Sequence, residues 1–270
     1  MEIFVEERYS AIAQNTTDNQ YAHSVASSFG YSSESLESLP EGANMGLSCG
    51  NPVTLANIQP GEIIVDLGSG ADIDAFLAAD KVGSSGKVIG VDFSQHMIDR
   101  ARQNASKRGY QSNIEFKHAP ITNLPVDDNS VDCILSNCVI NLVTDKNKVI
   151  REIYRALKPG GRISISDIVA KKLLPARMQE ESAYVACLGG AIQVNEYRNL
   201  FVAAGFQDVK FIDTKADLNV FKPLVEDANI TVVKKGGRCC GPINLGATND
   251  EFAEEDFNNY LASFQIYAKK

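Results

Sequence analysis

IIVDLGSGADID, residues 63–74, decides the fold. An apolar run ends in Asp66 and breaks into Gly68, Ser69 and Gly70, a turn in which glycine supplies positive φ angles and lets bare backbone approach a ligand. A second apolar run, KVIGVD at 87–92, ends in Asp92, an acid placed at a strand tip to accept hydrogen bonds from a ribose. Strand, turn, helix, strand and terminal acid together point to an adenosine held at the carboxyl edge of a sheet. A dinucleotide site reads GxGxxG and faces a pyrophosphate, but here the third glycine is missing and Asp72 and Asp74 crowd the turn. Two carboxylates repel a pyrophosphate. They suit a ligand with an amino group and a positive centre, such as S-adenosylmethionine.

Outward from this turn, strands alternate with helices, and the alternation predicts a largely parallel sheet wrapped by helices. Strands are expected at Ile63 to Leu67, Val88 to Asp92, Ile114 to His118, Val131 to Asn137, Arg162 to Ile168, Val209 to Asp213 and Ile230 to Lys234. Ser94 caps a helix running through Arg108, and Thr144 or Asp145 caps one that ends before Pro159. Three regions follow: an N-terminal arm or cap over 1–45, a cofactor-binding domain over 46–235, and a C-terminal loop and helix over 236–270. In the last, Phe257, Tyr260, Leu261 and Phe264 fall on one helical face, with acids in the first turn and lysines in the last. That stripe is expected to dock on the domain or on a partner subunit.

At 270 residues and 44% hydrophobic, the chain is long enough for a full α/β core with additions. Its net charge of −8 argues against nucleic acid, whose phosphates attract a basic face, and favours a small-molecule substrate. No stretch approaches the roughly 18 apolar residues of a membrane span, and none resembles a signal peptide. A cytoplasmic protein is expected, with its 6 cysteines reduced rather than paired.

The cysteines divide by context. Cys133 and Cys138 lie within or just after the strand VDCILSNC, where a free cysteine behaves as a small buried hydrophobe. Cys49 (MGLSCGNP), Cys187 (ACLGGA) and the Cys239–Cys240 pair (GGRCCGP) sit among glycines and small residues, where thiols are expected to be accessible. Their spacing is too wide for a zinc ribbon. Read alone, they fit either incidental thiols or a soft-ion site gathered from distant parts of the chain.

The segments EGANMGLSCGNP, DLGSG, KVIGVDFSQHMI, LPVDDNSVDCILSNCVINLVTDK, REIYRALKPGGRISISDIV and ACLGGAI resemble, in order and spacing, the arsenite S-adenosylmethionine methyltransferases. DLGSG and LKPGG are shared by class I methyltransferases generally; SNCVINL and the isolated loop cysteines are the specific part. The resemblance implies a seven-stranded class I methyltransferase fold, Rossmann-like and mostly parallel. It implies methyl transfer to arsenite and methylarsenite, with a thiol reductant, glutathione or thioredoxin, as co-substrate. It also implies that Cys49, Cys187 and one of Cys239 and Cys240 bind the arsenic.

By the same resemblance, Asp66, Gly68, Ser69 and Gly70 shape the methionine end of the cofactor pocket, with Asp72 at its edge. Asp92 holds the ribose hydroxyls, Phe93 and Met97 lie by the adenine, Ala119 and Ile121 contact its ring, and Asn137 ends the fourth strand beside the methyl donor. Three departures stand out: Asp72 where glycine is usual, Pro120 before the adenine segment, and an arm without cysteine. The implied mechanism has thiolates take the place of the oxygen ligands of arsenite, whose lone pair attacks the sulfonium methyl in line, with activity rising through the thiol range near about 8.5. The chain is expected to act as a monomer or weak dimer. A class I methyltransferase of another small metabolite, and a thiol-based metalloid binder without turnover, remain the alternatives.

Overall fold

The computed structural model describes residues 2–15, 19–109, 112–180, 183–184, 186–221 and 255–270. Its strands are β1 (Ile63–Leu67), β2 (Lys87–Asp92), β3 (Ile114–His118), β4 (Val131–Asn137), β5 (Leu157–Ala170), β6 (Gln207–Asp213) and β7 (Leu261–Lys269). They form one seven-stranded sheet in the order β3-β2-β1-β4-β5-β7-β6. Strands β3 to β5 pair in parallel, and β7 runs antiparallel to both its neighbours. The helices are α1 (Glu2–Gln14), α2 (Asn19–Ser28), α3 (Ser33–Glu37), α4 (Pro52–Leu55), α5 (Ile73–Val82), α6 (Gln95–Arg108), α7 (Lys146–Ala156) and α8 (Val194–Ala204).

The expected class, a mostly parallel α/β sheet with helices on both faces, is the fold observed. Alternate residues of β1 serve opposite faces. Val65 and Leu67 pack with Val149, Ile153 and Phe201 of α7 and α8, and Ile64 packs with Phe76 and Ile98 of α5 and α6. Because the chain leaves β1 toward β2 on one side and reaches β4 on the other, a crevice opens at their carboxyl ends, the switch point at which such sheets bind ligands. Ser94 caps α6 by accepting from Met97 N, and Asp145 rather than Thr144 caps α7 by accepting from Lys148 N.

One expectation is overturned. The final segment is not an amphipathic helix: residues 261–269 form strand β7, inserted in the sheet between β5 and β6. There Leu261, Ala262, Ile266 and Ala268 are buried, and so is Ser263, whose hydroxyl donates to Cys49 O at 2.6 Å. A strand covered on both faces carries apolar residues at every spacing, so it satisfies a helical stripe by coincidence. The expected strand Ile230 to Lys234 and the loop holding Cys239 and Cys240 lie outside the described residues.

The N-terminal segment is fastened by polar contacts to α6 and its N-cap. Ser10 and Ser94 share a hydroxyl hydrogen bond of 2.9 Å, and Arg100 donates to Ala13 O, Asn15 O and Gly42 O at 3.0, 2.9 and 3.2 Å. Arg108 holds the carbonyls of Glu37 and Leu39 at 3.2 and 3.0 Å.

Candidate functional site

The turn after β1 folds as the sequence dictates. Gly68 and Gly70 have φ of 64° and 57°, and a Cβ at Gly68 would run into the side chain of Val139. Gly70 N donates to Asp92 Oδ2 at 3.0 Å and Ser94 N to Asp92 Oδ1 at 2.8 Å, so Asp92 is aimed across the turn by two backbone donors. Asp72 occupies a left-handed position, φ 89°, which explains why glycine is usual there. Its Oδ1 caps α5 by accepting from Ala75 N at 2.9 Å, and its Oδ2 is buried with no partner among the described residues.

A cavity lies over this turn. Asp66, Gly68, Ser69, Gly70 and Asp72 line it, joined by Asp92, Phe93, Met97 and Asn137 from the ends of β2, α6 and β4. Asp74 also reaches it, held by the Tyr31 hydroxyl at 2.7 Å and by Asn137 Nδ2 at 2.9 Å. Four carboxylates therefore converge, and the described lining contains no lysine, arginine or histidine. Burial pushes Asp74 and Asp92 each up to about 6, against the pull of their hydrogen bonds. Asp66 and Asp72 are driven well above the carboxylate range by burial first and by neighbouring carboxylates second. Such a pocket is electrostatically incomplete. A ligand bearing an ammonium and a sulfonium restores the ionised carboxylates, and an unpartnered Asp72 oxygen is ready to accept from it.

The thiols do not stand as the sequence led us to expect. Cys49 and Cys187 are buried, not accessible, because Val5, Val25 and Phe29 of the N-terminal segment, Leu261 of β7 and Leu188 pack in one cluster with them. Cys138 is not merely a core thiol. It lines the cofactor cavity at φ 59° and is bonded to Cys49 in a disulfide with a Cα–Cα separation of 5.6 Å, so the six cysteines are not all reduced. Chain reversal after β4 brings Cys138 to the Cys49 loop, a contact that no local pattern announces. The Cys187 thiol completes the group by donating to Cys138 O at 2.9 Å, and the Tyr9 hydroxyl lies 3.4 Å from its sulfur. Cys187, Cys49, Arg8, Ile12 and Phe221 belong to a second, smaller cavity, and Tyr9 and Leu47 line both cavities. Burial pushes the Cys187 thiol up to about 12, well past the free-thiol range, and does the same to Cys133, which is packed under the sheet as expected.

Two side chains join the cavities to the fold. Asn137 Nδ2 donates to the Tyr31 hydroxyl, Gly50 O and Asp74 Oδ2, each at 2.9 Å, and its Oδ1 accepts from Cys49 N at 2.9 Å. It thus ties the Cys49 loop to the acidic wall of the cofactor cavity. Asn141, on the 3-10 turn Ile140–Leu142, reaches Cys187 O at 3.3 Å.

Ala119 and Ile121 are not among the described residues lining the cavity. The Ala119 amide is used by Asp92 O at 3.0 Å, and the Ile121 side chain is buried in the core with Val91 and Leu124. Cys239 and Cys240 fall outside the described residues. Sequence reasoning missed Tyr9, Ala43, Met45, Leu47 and Ser48 from the segment before α4, and Val139 and Leu142 after β4, all of which line the cavity. The polar arm carries no periodic signal for such a role.

Comparison with known proteins agrees with this geometry. A family model described as a methyltransferase domain matches residues 58–205, the span from just before β1 through α8. The arsenite methyltransferase of Halobacterium salinarum is 43% identical over 182 residues, which cover 67% of this chain and 46% of that protein. The arsenite methyltransferase of Aquipseudomonas alcaligenes is 40% identical over 158 residues, 56% of this chain and 45% of that protein. The chain thus spans about half the length of the curated relatives it matches. An arsenic(III) S-adenosylmethionine methyltransferase from Chlamydomonas reinhardtii superposes with a TM-score of 0.57 at 25% identity, covering 94% of this chain and 74% of that one. With the glycine turn, Asp92 at the end of β2 and the crevice between β1 and β4 all inside the matched span, the chain belongs to the methyltransferase domain family.

Proposed function

We propose that the chain transfers a methyl group from S-adenosylmethionine to trivalent arsenic held by its own thiols. The observation that carries this reading is the convergence of Cys49, Cys138 and Cys187 beside a four-carboxylate cavity suited to a cation. The names of the relatives support arsenite as the substrate, and three soft sulfur ligands suit it by chemistry. The sequence offered Cys239 or Cys240 as the third thiol. Among the described residues, Cys138 is the cysteine that stands with Cys49 and Cys187.

The bound cofactor supplies an electrophilic methyl on a positive sulfur. Asp92 would accept from the ribose hydroxyls, Asp66, Asp72 and Asp74 would face the amino group and the sulfonium, and Phe93 and Met97 would flank the adenine. Arsenite can enter only after a thiol reductant, two equivalents of glutathione or one of the dithiol thioredoxin, opens the Cys49–Cys138 bridge, is itself oxidised to a disulfide and leaves two protein thiols. Each thiol that binds displaces one hydroxyl from arsenite and gives up its proton to form water, so the raised Cys187 thiol needs no prior ionisation. The arsenic lone pair would attack the methyl carbon where the two cavities meet at Tyr9 and Leu47, the As–C bond forming as the C–S bond breaks and the sulfur leaves as a neutral thioether. Alignment of this kind contributes about 7–11 kcal/mol to such a step.

The same reading takes methylarsenite as a second substrate and arsenic detoxification as the purpose, in a cytoplasm whose thiol pool keeps the bridge open. It has residues 1–45 act as a cap, and the chain work as a monomer or weak dimer without nucleic acid or membrane. Among the described residues no helix is long and apolar enough to cross a membrane. The test is arsenic speciation by mass spectrometry after incubation with arsenite, S-adenosylmethionine and a dithiol. Methylated arsenicals are expected; cofactor binding with unmodified arsenite would leave only a metalloid binder.

A further inference from the structure

Two thiols of the proposed site stand on strained backbone. Cys138 and Cys187 have φ of 59° and 64°, in the left-handed region that non-glycine residues adopt only when their surroundings hold them there. For Cys187 the holding contacts can be traced. Asn141 Nδ2 donates to Cys187 O at 3.3 Å, to Ile168 O at 2.6 Å and to Asp167 Oδ1 at 2.9 Å. Asp167 is fully buried on β5, and its other oxygen accepts from the Tyr197 hydroxyl at 3.1 Å. Gly190 lies so close that a Cβ there would collide with the Asn141 carbonyl. Lys146 donates to Val143 O at 3.0 Å and supplies positive charge near the buried carboxylate.

None of Asn141, Asp167 and Tyr197 is among the described residues lining either cavity. A carboxylate buried this deeply, away from any ligand, is a costly choice for packing alone, which an apolar side chain would serve better. Its geometry does one specific thing: it fixes the Asn141 amide, which grips the main chain of Cys187 from the turn that also follows Cys138. The geometry points to Asp167 as a positioning residue that, through Asn141 and with Tyr197, sets where the Cys187 sulfur stands relative to Cys138. This rests on the arsenic reading for its purpose, though not for its first readout.

The test uses the full chain, reduced with a phosphine, in unaltered, Asp167→Ala, Asp167→Asn and Tyr197→Phe forms. Iodoacetamide labelling followed by peptide mass spectrometry gives the alkylation rates of Cys187 and of Cys133 as a control. Calorimetry gives the affinities for arsenite and S-adenosylmethionine. Asp167→Ala is expected to speed Cys187 alkylation at least tenfold and weaken arsenite binding at least tenfold, with Cys133 and cofactor affinity within twofold. Asp167→Asn keeps an oxygen that can accept from Asn141 and should restore both to within threefold. Tyr197→Phe, the milder change, should give twofold to fourfold effects of the same kind and decides the matter if Asp167→Ala does not fold. Unchanged Cys187 labelling, or Cys133 labelling and cofactor affinity moving in step with it, overturns the inference. Failure of the unaltered protein to retain arsenite ends the arsenic reading instead, and the labelling still decides the positioning.

Discussion

Two clusters of the same composition sit at the carboxyl end of the sheet, each an asparagine joined to an aspartate and a tyrosine. Asn137 with Asp74 and Tyr31 faces the cofactor cavity, and its asparagine holds the Cys49 amide. Asn141 with Asp167 and Tyr197 is closed in protein, and its asparagine holds the Cys187 carbonyl. Burial raises both aspartates, Asp74 to about 6 and Asp167 to about 7, but only Asp74 lines a space in which a ligand cation can relieve it; Asp167 has Lys146 nearby. The difference teaches that identical side-chain chemistry at adjacent places can couple two ligands in one case and merely fix geometry in the other. What separates them is whether the carboxylate has access to the cavity.

The largest effects should come from the thiols that both clusters serve. Cys49→Ser, Cys138→Ser and Cys187→Ser should each lower arsenic methylation at least about a hundredfold, equivalent to roughly 2.7 kcal/mol or more in the reaction barrier, with cofactor affinity unchanged by calorimetry. The double change at Cys239 and Cys240 should leave arsenite binding in place. If it abolishes the first methylation while Cys138→Ser stays active, the third position returns to the C-terminal pair.

Next, Asn137→Ala removes a donor and an acceptor shared by both sites, and each buried group left unpaired costs about 1–3 kcal/mol. Binding of arsenite and of cofactor should both fall by about tenfold or more, whereas in the second cluster only arsenite binding falls. Equal effects at the two clusters in both titrations would erase the distinction. Asp92→Ala should weaken cofactor alone, by about tenfold, because hydrogen bonds to a charged acceptor are worth about 1.5–3 kcal/mol each; unchanged affinity would remove Asp92 from the ribose.

A smaller effect separates the open cluster by pH. Burial pushes Asp74 and Asp92 up to about 6, so a cation that demands their ionised form should bind tighter as pH rises from 5 to 7, by up to about tenfold for each carboxylate it meets, and then level off. The empty protein responds with the opposite sign. Because these folded-state values are raised, their stabilising contribution is complete below the unfolded carboxylate range and is lost as pH rises through about 6. Flat cofactor affinity across that window would mean these carboxylates do not meet a positive charge. The smallest change expected is Asp72→Gly. Relief of the left-handed position, about 1–2 kcal/mol, outweighs the few tenths lost when glycine replaces an N-cap aspartate, so thermal stability should rise by about 1 kcal/mol. Its effect on cofactor affinity tests crowding: tighter binding means that Asp72 repels the methionine carboxylate, looser binding that it grips the amino group.

Most of the cofactor half was legible in the chain because its residues are local. Gly68, Gly70 and Asp92 owe their roles to turn geometry and a strand end, and these are written in consecutive residues. The α/β class followed from alternating strands and helices for the same reason. The placement of β7 was not legible, since a strand buried on both faces and a helix share the same apolar spacings, and only the vacancy between β5 and β6 decides between them. Nor was the pairing of Cys49 with Cys138, or the burial of Cys187 against Cys138 O, because sulfur positions set by segments far apart in sequence depend on packing rather than on pattern. By itself the sequence determined a nucleotide-type turn, an acid at the tip of the next strand and a supply of thiols. Tertiary structure alone decided which thiols meet, since only the folded sheet brings the segments after β4 and β5 and the Cys49 loop to one place.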